Sequence, residues 1–575
     1  MHSLHATTGG DMILGIDVGG THTDAVLLNK DGLLAAAKVI TDHQDLLSSV
    51  RAALAEVVQG HDTSQVKRFN LSTTLCTNAI VQGDLEEVGV LVSAGPGIDP
   101  GLFGIGSCYA VIPGGLDHRG TEIKPLDFDY AKSKIMEFKE RGVRIFSVIG
   151  KFSPRNPIHE NQLAELVENS CDFLTLGHAL SGQLNFPRRV ATSYYNSAIW
   201  PIFNDFANSV ADSLHDFGLK PPHVNILKAD GGTMTFSQAR HTPVESIFSG
   251  PSASVMGIMA ICPIESDAVL LDMGGTTTDV AVFADGDPLI EAESVELAHR
   301  PTLVRAMKTK SIPLGGDSAV YASQGTVCVG PRRMGPCMAQ GGDVPTLVDA
   351  LNCAKQYFYG QTQASDQGMQ VLGQELGWNP DQVSWKVIHE FCRVLKQETL
   401  DMLNEINERP VYTVHEFLEY RQIVPKRIYL MGGPAQVMAP FISQAFGLPV
   451  VVPDNYAVAN ALGAALARPT MQAELFADTE KRMMTIPILG VSEKVGNRYS
   501  LDQARTDVVN HLCTYLANHL DWKVPQFEVE IVEESAMNMV KDVYQVGQDI
   551  RVKCQIRPGI SPDYQNAVRC LCKEQ

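Results

Sequence analysis

The chain has 575 residues, 45% of them hydrophobic and 19% charged, and a formal net charge of −19. That length predicts two to four domains, and the balance is ordinary for a globular enzyme. The negative charge argues against nucleic acid or an anionic membrane as the main partner, and no apolar run reaches transmembrane length.

The stretch from Met1 to Ala6 lacks the basic start and apolar core of a signal peptide. Residues 1–11 therefore read as a flexible lead, and the chain as cytoplasmic. The twelve Cys are scattered; the only close pair, Cys570 and Cys572, falls in the tail. Reduced thiols are expected rather than a disulfide framework or a metal site.

Residues 13–18 and 24–29 are short runs rich in Ile, Leu and Val, the pattern of buried strands, with a third strand near 33–40. Between the first two lies Asp17-Val18-Gly19-Gly20-Thr21-His22-Thr23-Asp24. A Gly pair supplies a tight turn and lets backbone N–H groups approach an anion closely. Threonine hydroxyls add donors for phosphate oxygens. An Asp at a strand end is suited to a hydrated magnesium ion, which takes one or two carboxylates and keeps most of its waters. Asp24 either shares that task or caps the turn.

A helix follows over 45–58, then a strand over 66–71 that runs into Ser72-Thr73-Thr74-Leu75-Cys76-Thr77-Asn78, a polar turn opening a helix. Residues 88–92 and 143–149 are further strands. Between them, 95–125 is rich in Gly and Pro and reads as an irregular excursion of the kind that borders sites. A long helix is predicted over 188–217, interrupted at Pro201, then a strand over 224–228 ending in Ala229-Asp230-Gly231-Gly232-Thr233, then a helix over 254–261.

The opening then repeats. Asp272-Met273-Gly274-Gly275-Thr276-Thr277-Thr278-Asp279 lies between strands predicted over 268–273 and 279–284. One such turn is ambiguous; two in the same frame point to related halves facing one polyphosphate. Gly315-Gly316-Asp317-Ser318 is another Gly-rich turn, and Arg332-Arg333 lie in a basic loop. Helices are expected over 347–354 and 383–406. A strand over 428–431 leads into Gly432-Gly433-Pro434 and a helix, and a strand over 450–452 into a small-residue helix over 457–467. After Pro469, strand-like pieces (485–491, 527–532, 550–556) and a helix over 504–519 suggest a small α+β appendage with a structural or interface role.

Strand–loop–strand with phosphate motifs in both halves resembles the actin, hexokinase and heat-shock-chaperone ATPase superfamily. Within it, "LSTTLCTNAI", "ADGGTM", "PVESIFSGPSASVMG", "LLDMGGTTTDVAVF" and "YLMGGPAQVMAPF" resemble ordered segments of the hydantoinase/oxoprolinase family over about residues 12–467. The resemblance implies an α/β fold: two ribonuclease-H-like (actin-like ATPase) domains around a cleft, plus the C-terminal α+β appendage. The expected divisions are 12–187 for the first domain, 188–264 for connecting elements, 265–468 for the second domain and 469–575 for the appendage.

It further implies ATP and Mg2+ as cofactors. Gly19, Gly20, Thr21, His22 and Thr23 would bind ATP, as would Gly274, Gly275, Thr276, Thr277, Gly315 and Gly316. Gly432, Gly433 and Pro434 would contact the adenosine. Asp17 and Asp272 are the expected catalytic and metal-binding carboxylates. Asp230 would orient substrate or water, or form only a turn bond. Thr73, Thr74, Thr77 and Asn78 would line a substrate pocket or cap a helix. The implied reaction is ATP-dependent hydrolysis of a cyclic amide or imide, with phosphorylation of a carbonyl substrate for a partner as the alternative. Implied partners are the small-molecule substrate and a second, hydantoinase-B-like subunit, with self-association left open. His22 departs from the Phe or Asn common in the family, which bears on the substrate more than on ATP.

Overall fold

The computed structural model describes residues 11–569 apart from 43, 222, 292–294, 409–420, 520–524 and 542. Most of the expected lead and the Cys570–Cys572 pair lie outside the described residues. The first motif folds as a hairpin of Met12–Val18 and His22–Asn29, extended by Gly32–Ile40. Every residue of Met12–Val18 is buried, because this strand runs through the middle of a six-stranded sheet. On its other side come Val66–Thr73, His223–Leu227 and Thr233–Thr235.

The second motif builds the same arrangement. Ala268–Met273 pairs antiparallel with Thr278–Ala284 and parallel with Arg427–Gly432, which neighbours Val450–Val451. Thr309–Ile312 takes the place that Gly32–Ile40 holds in the first half. In both hairpins the motif aspartates are ladder partners, Asp17 opposite Asp24 and Asp272 opposite Asp279. The two ribonuclease-H-like halves expected from the repeat are present.

The halves meet through helices Ser249–Ile261 and Ala459–Leu466, both made largely of small residues. A Cβ on Gly463 would lie 2.3 Å from the Ala253 carbonyl oxygen, and one on Gly257 2.3 Å from that of Ala459. Gly15 lets the first strand approach the same helix, where a Cβ would fall 2.5 Å from the Ala461 oxygen. Backbone contact this close is available only to glycine.

The first sheet draws its last strands from residues 223–235, across the division at 187. Residues 88–176 form a separate four-stranded parallel sheet, ordered Phe173–Leu176, Ile145–Gly150, Val88–Ser93, Cys108–Ile112. The excursion at 95–125 is thus partly regular: Cys108–Ile112 joins that sheet, and Gly115–Leu116 pairs with Glu122–Lys124. The interrupted helix is two helices, Phe186–Ala198 and Trp200–Asp216. Pro201 sits in the first turn of the second, where its missing N–H costs nothing.

The appendage is a five-stranded antiparallel sheet that includes Gln472–Asp478, Val529–Lys541 and Tyr544–Ile556. Helix Leu501–His519 covers it with Ala504, Val508, Leu512 and Leu516, one buried residue every turn. The strand expected over 485–491 is split by a 3-10 turn at Pro487–Leu489. Arg119 bonds Asp478 at 2.6 Å and Arg155 bonds Asp549 at 2.6 Å, tying the appendage to the inserted sheet. Among the described residues no helix is long and apolar enough to cross a membrane.

Candidate functional site

Each motif turn is closed by the same backbone bond: the Gly19 amide donates to the His22 carbonyl at 3.0 Å, and the Gly274 amide to that of Thr277 at 2.9 Å. The turns face each other across a cavity of 790 Å3. Thr21 Oγ1 lies 3.9 Å from where a Cβ on Gly275 would stand. Gly20 and Gly433 have nothing within 4 Å of that position, so their backbones are open to a ligand. Gly19, Gly20, Thr21, His22, Gly274, Gly275, Thr276 and Thr277 all line the cavity, as do Gly316, Gly432, Gly433 and Pro434. Gly432 must be glycine: its φ is +95°, and a Cβ would meet the Met273 carbonyl oxygen at 2.2 Å.

Asp17 and Asp272 end their strands at the cavity floor. Burial, followed by the charges of Asp24 and Asp272, raises the Asp17 carboxyl to about 7 against the pull of Ser72 and Asn460. Asp272 is raised by burial too, although it accepts from Ser254 Oγ at 2.6 Å and Asn460 Nδ2 at 3.4 Å. Burial pushes Asp279 up to about 6. Asp24 holds Lys38 at 2.7 and 2.9 Å, yet burial leaves its carboxyl raised. Five carboxylates, Asp17, Asp24, Asp272, Asp279 and Asp317, against Lys38 and Arg333 form a cleft short of positive charge.

That deficit is the test of whether a magnesium ion fits. Asp17 Oδ1 is buried without a hydrogen-bond partner, as a carboxylate awaiting a cation or its waters would be. Among the described residues no group of three or more His, Cys, Asp or Glu forms a dedicated metal cage. One or two carboxylates plus ligand phosphates is the magnesium pattern. Asp17 and Asp272 are the residues that could hold it.

Other expected residues lie elsewhere. Thr23 is buried against Thr41, 3.0 Å between hydroxyls. Gly315 supports the second turn from behind, where a Cβ would strike the Gly275 oxygen at 2.6 Å. Thr74 and Asn78 line the cavity. Thr73 and Thr77 do not: Thr73 Oγ1 accepts from the Leu75 amide at 3.2 Å, and Thr77 Oγ1 from the Phe248 amide at 2.9 Å. Asp230 is buried outside this cavity, accepting from the Gly232 amide at 2.9 Å and Thr470 Oγ1 at 3.0 Å. The geometry therefore does not bring Asp230 to Asp17 and Asp272.

Several lining residues were not foreseen. Tyr357 and Tyr359 stack with centroids 5.6 Å apart and form an aromatic wall with Tyr456. Of the two arginines in the basic loop, which the sequence marks as phosphate or carboxylate contacts or as solvated, Arg333 lines the cavity and pairs with Asp317 at 2.9 Å. Lys38, Ser254 and Asn460 complete the floor. Burial and Lys38 lower the His22 pKa, so its imidazole is neutral near pH 7 and has one N–H to donate.

Residues 13–171 match the hydantoinase/oxoprolinase N-terminal region, and residues 189–473 match hydantoinase/oxoprolinase. The caprolactamase subunit alpha of Pseudomonas jessenii is 26% identical over 374 residues, covering 59% of this chain and 53% of that protein. The acetophenone carboxylase gamma subunit of Aromatoleum aromaticum is 26% identical over 391 residues, covering 58% and 52%. The chain thus matches about half the length of these relatives, and both are named as subunits. The crystal structure of the ATP-dependent caprolactamase from Pseudomonas jessenii superposes with a TM-score of 0.69 at 18% identity, covering 95% of this chain and 88% of that one. The chain belongs to the hydantoinase/oxoprolinase family.

Proposed function

We propose that this protein uses ATP to hydrolyse a cyclic amide or imide through a phosphorylated intermediate. The observation that carries the reading is the pair of glycine turns facing each other over the buried carboxylates Asp17 and Asp272. Phosphoryl transfer asks for positioning and charge neutralisation more than covalent help. The turn amides and the Thr21 and Thr276 hydroxyls would hold the phosphates in line. The tyrosine wall and Gly433 would hold the base. Asp17 and Asp272 would hold magnesium, which supplies the counter-charge for phosphate oxygens. Ser254 and Asn460 would fix the Asp272 carboxylate in place.

Amide resonance makes the ring carbonyl a poor electrophile. Moving the γ-phosphoryl of ATP onto the carbonyl oxygen, with ADP leaving, would give a carbon that water attacks. The adduct would then break its ring C–N bond as the nitrogen takes a proton, and a second water would attack the acyl carbon so that phosphate departs with the original carbonyl oxygen. Thr74 and Asn78, which line the cavity, would orient the ring. The name of the caprolactamase relative supports a lactam-type substrate.

A second reading rests on the acetophenone carboxylase subunit and the half-length coverage. In it the same site phosphorylates a ketone for a partner subunit. The test is magnesium-dependent ATP hydrolysis by the purified chain with hydantoins, 5-oxoproline, other lactams and ketones. Turnover stimulated by one ring compound with equal ring opening, absent in Asp17→Asn and Asp272→Asn, supports hydrolysis. Ketone stimulation without ring opening supports the second reading. Absence of ATP binding refutes both.

A further inference from the structure

A second cavity of 330 Å3 lies where four pieces of the chain converge. The turn after His223–Leu227 brings Lys228 and Asp230, the 302–305 loop brings Arg305, and the appendage brings Glu474 and Lys553. Residues 179–183, beyond the inserted sheet, close the remaining side. The charges in it are not all satisfied by one another. Asp230 accepts from the Gly232 amide and Thr470 and lies 3.8 Å from Lys228, which pairs with Glu245 at 2.9 Å. Arg305 Nη1 is left 3.6 Å from Asp230, buried and without a hydrogen-bond partner. Lys553 lines the same cavity, and its acidic neighbours Glu474 and Glu533 are both engaged by Arg551. Burial and repulsion from Arg305 depress the Lys553 ammonium despite those acids.

Two cations drawn together, one of them with a buried Nη1 that no hydrogen bond satisfies, mark a place for an anion. Glu474 adds the complementary feature. One of its oxygens takes Arg551, while Oε2 is buried and unpartnered, an acceptor facing the same space. A dianion such as phosphate would suffer from Asp230 and Glu474, whereas a monoanion that also carries an N–H would satisfy both ends. The volume is at the lower limit for small-molecule pockets.

We infer that this cavity is a ligand site, separate from the nucleotide cleft, for a small carboxylate bearing an N–H donor, an amino acid or a lactam carboxylate. Arg305 and Lys553 take the carboxylate and Glu474 Oε2 takes the N–H. The inference stands on this cavity alone and does not require the hydrolase reading. It gives the appendage a part in recognition, since Lys553 and Glu474 come from its sheet. The site also connects to the cleft. Ser252 Oγ donates to the Ala229 carbonyl at 2.6 Å, beside Asp230, and Ser254 on the same helix donates to Asp272.

The test is calorimetric titration of the full chain, without nucleotide, with L-glutamate, 5-oxoproline and glutarate. L-glutamate or 5-oxoproline is expected to bind, with at least tenfold loss in Arg305→Met and in Lys553→Met while ATP affinity is unchanged. Glutarate, which has no N–H and a net charge of −2, is expected to bind at least about tenfold more weakly than glutamate, through the lost polar contact and repulsion from Asp230 and Glu474. Arg305→Met is the decisive variant if Lys553→Met fails to fold, because Arg305 Nη1 anchors no hydrogen bond. The proposal is overturned if neither N–H probe binds at about 10 mM, if Arg305→Met binds as the parent does, or if ATP displaces the probe competitively. Failure here leaves magnesium-dependent ATP binding at the other cleft to be judged by its own variants.

Discussion

Replacing Asp17 by Asn should stabilise the protein while disabling it. The Asp17 carboxyl is raised from 3.8 to about 7, chiefly by burial. A carboxyl raised in the fold binds its proton more tightly there than in the unfolded chain, so stability falls as pH rises between these values. Holding the carboxylate ionised at pH 8 costs the fold roughly 4 kcal/mol, at about 1.4 kcal/mol per tenfold change in proton affinity. Asparagine removes that cost but buries an amide with incomplete partners, which returns about 1–3 kcal/mol. The expected net gain is about 1–3 kcal/mol at pH 8, several degrees in the melting midpoint. The gain should shrink at pH 5, where the parent carboxyl is already protonated. Saturating magnesium and ATP should reverse the order, because the ligand adds about 2.7 kcal/mol to the parent at a hundredfold excess over Kd. The assay is thermal melting at pH 5 and pH 8, with and without nucleotide. An Asp17→Asn protein that melts below the parent at pH 8, or by a margin independent of pH, would refute the electrostatic reasoning.

Three further outcomes follow from the same geometry. Lys38→Met, which strips the 2.7 Å partner from Asp24, should lower stability by about 1 kcal/mol, the pair being partly exposed, and weaken ATP binding about tenfold by titration. Tyr359→Ala should also weaken ATP about tenfold, in line with roughly 1–3 kcal/mol for a base stacked on an aromatic ring, with the magnesium requirement unchanged in a binding assay. Gly463→Val would put a side chain against the Ala253 oxygen, 2.3 Å from its Cβ; a loss of about 3 kcal/mol or more, or no soluble folded protein, is expected from urea unfolding.

Much of the cleft was legible because its logic is local. Asp-x-Gly-Gly-Thr-x-Thr-Asp between two apolar runs specifies a hairpin whose turn, aspartate register and exposed amides all follow from consecutive residues. Gly432-Gly433-Pro434 was legible for the same reason. Residues whose role depends on tertiary placement were not. Asp230 sits in a turn that looks like a site in sequence, yet the strand before it delivers the turn to Thr470 and Arg305. Thr73 and Thr77 share a helix start with Thr74 and Asn78 but point to the other side, toward Leu75 and Phe248. The tyrosine wall comes from a loop that no periodic pattern marks. Ser254 lies in the family-like segment 243–257 and Asn460 in the helix expected over 457–467, but only the crossing of their helices shows that both reach Asp272. The inserted sheet was missed as a unit because its strands are separated by the Gly- and Pro-rich stretch, which masked Cys108–Ile112.

The central claim, that a carbonyl oxygen is phosphorylated, is tested most directly by isotope transfer. A ring compound that stimulates ATP turnover would be labelled with 18O at the carbonyl, and the released phosphate analysed by mass spectrometry. The account predicts one labelled oxygen in phosphate for each ring opened. Label retained wholly in the ring-opened carboxylate would contradict it.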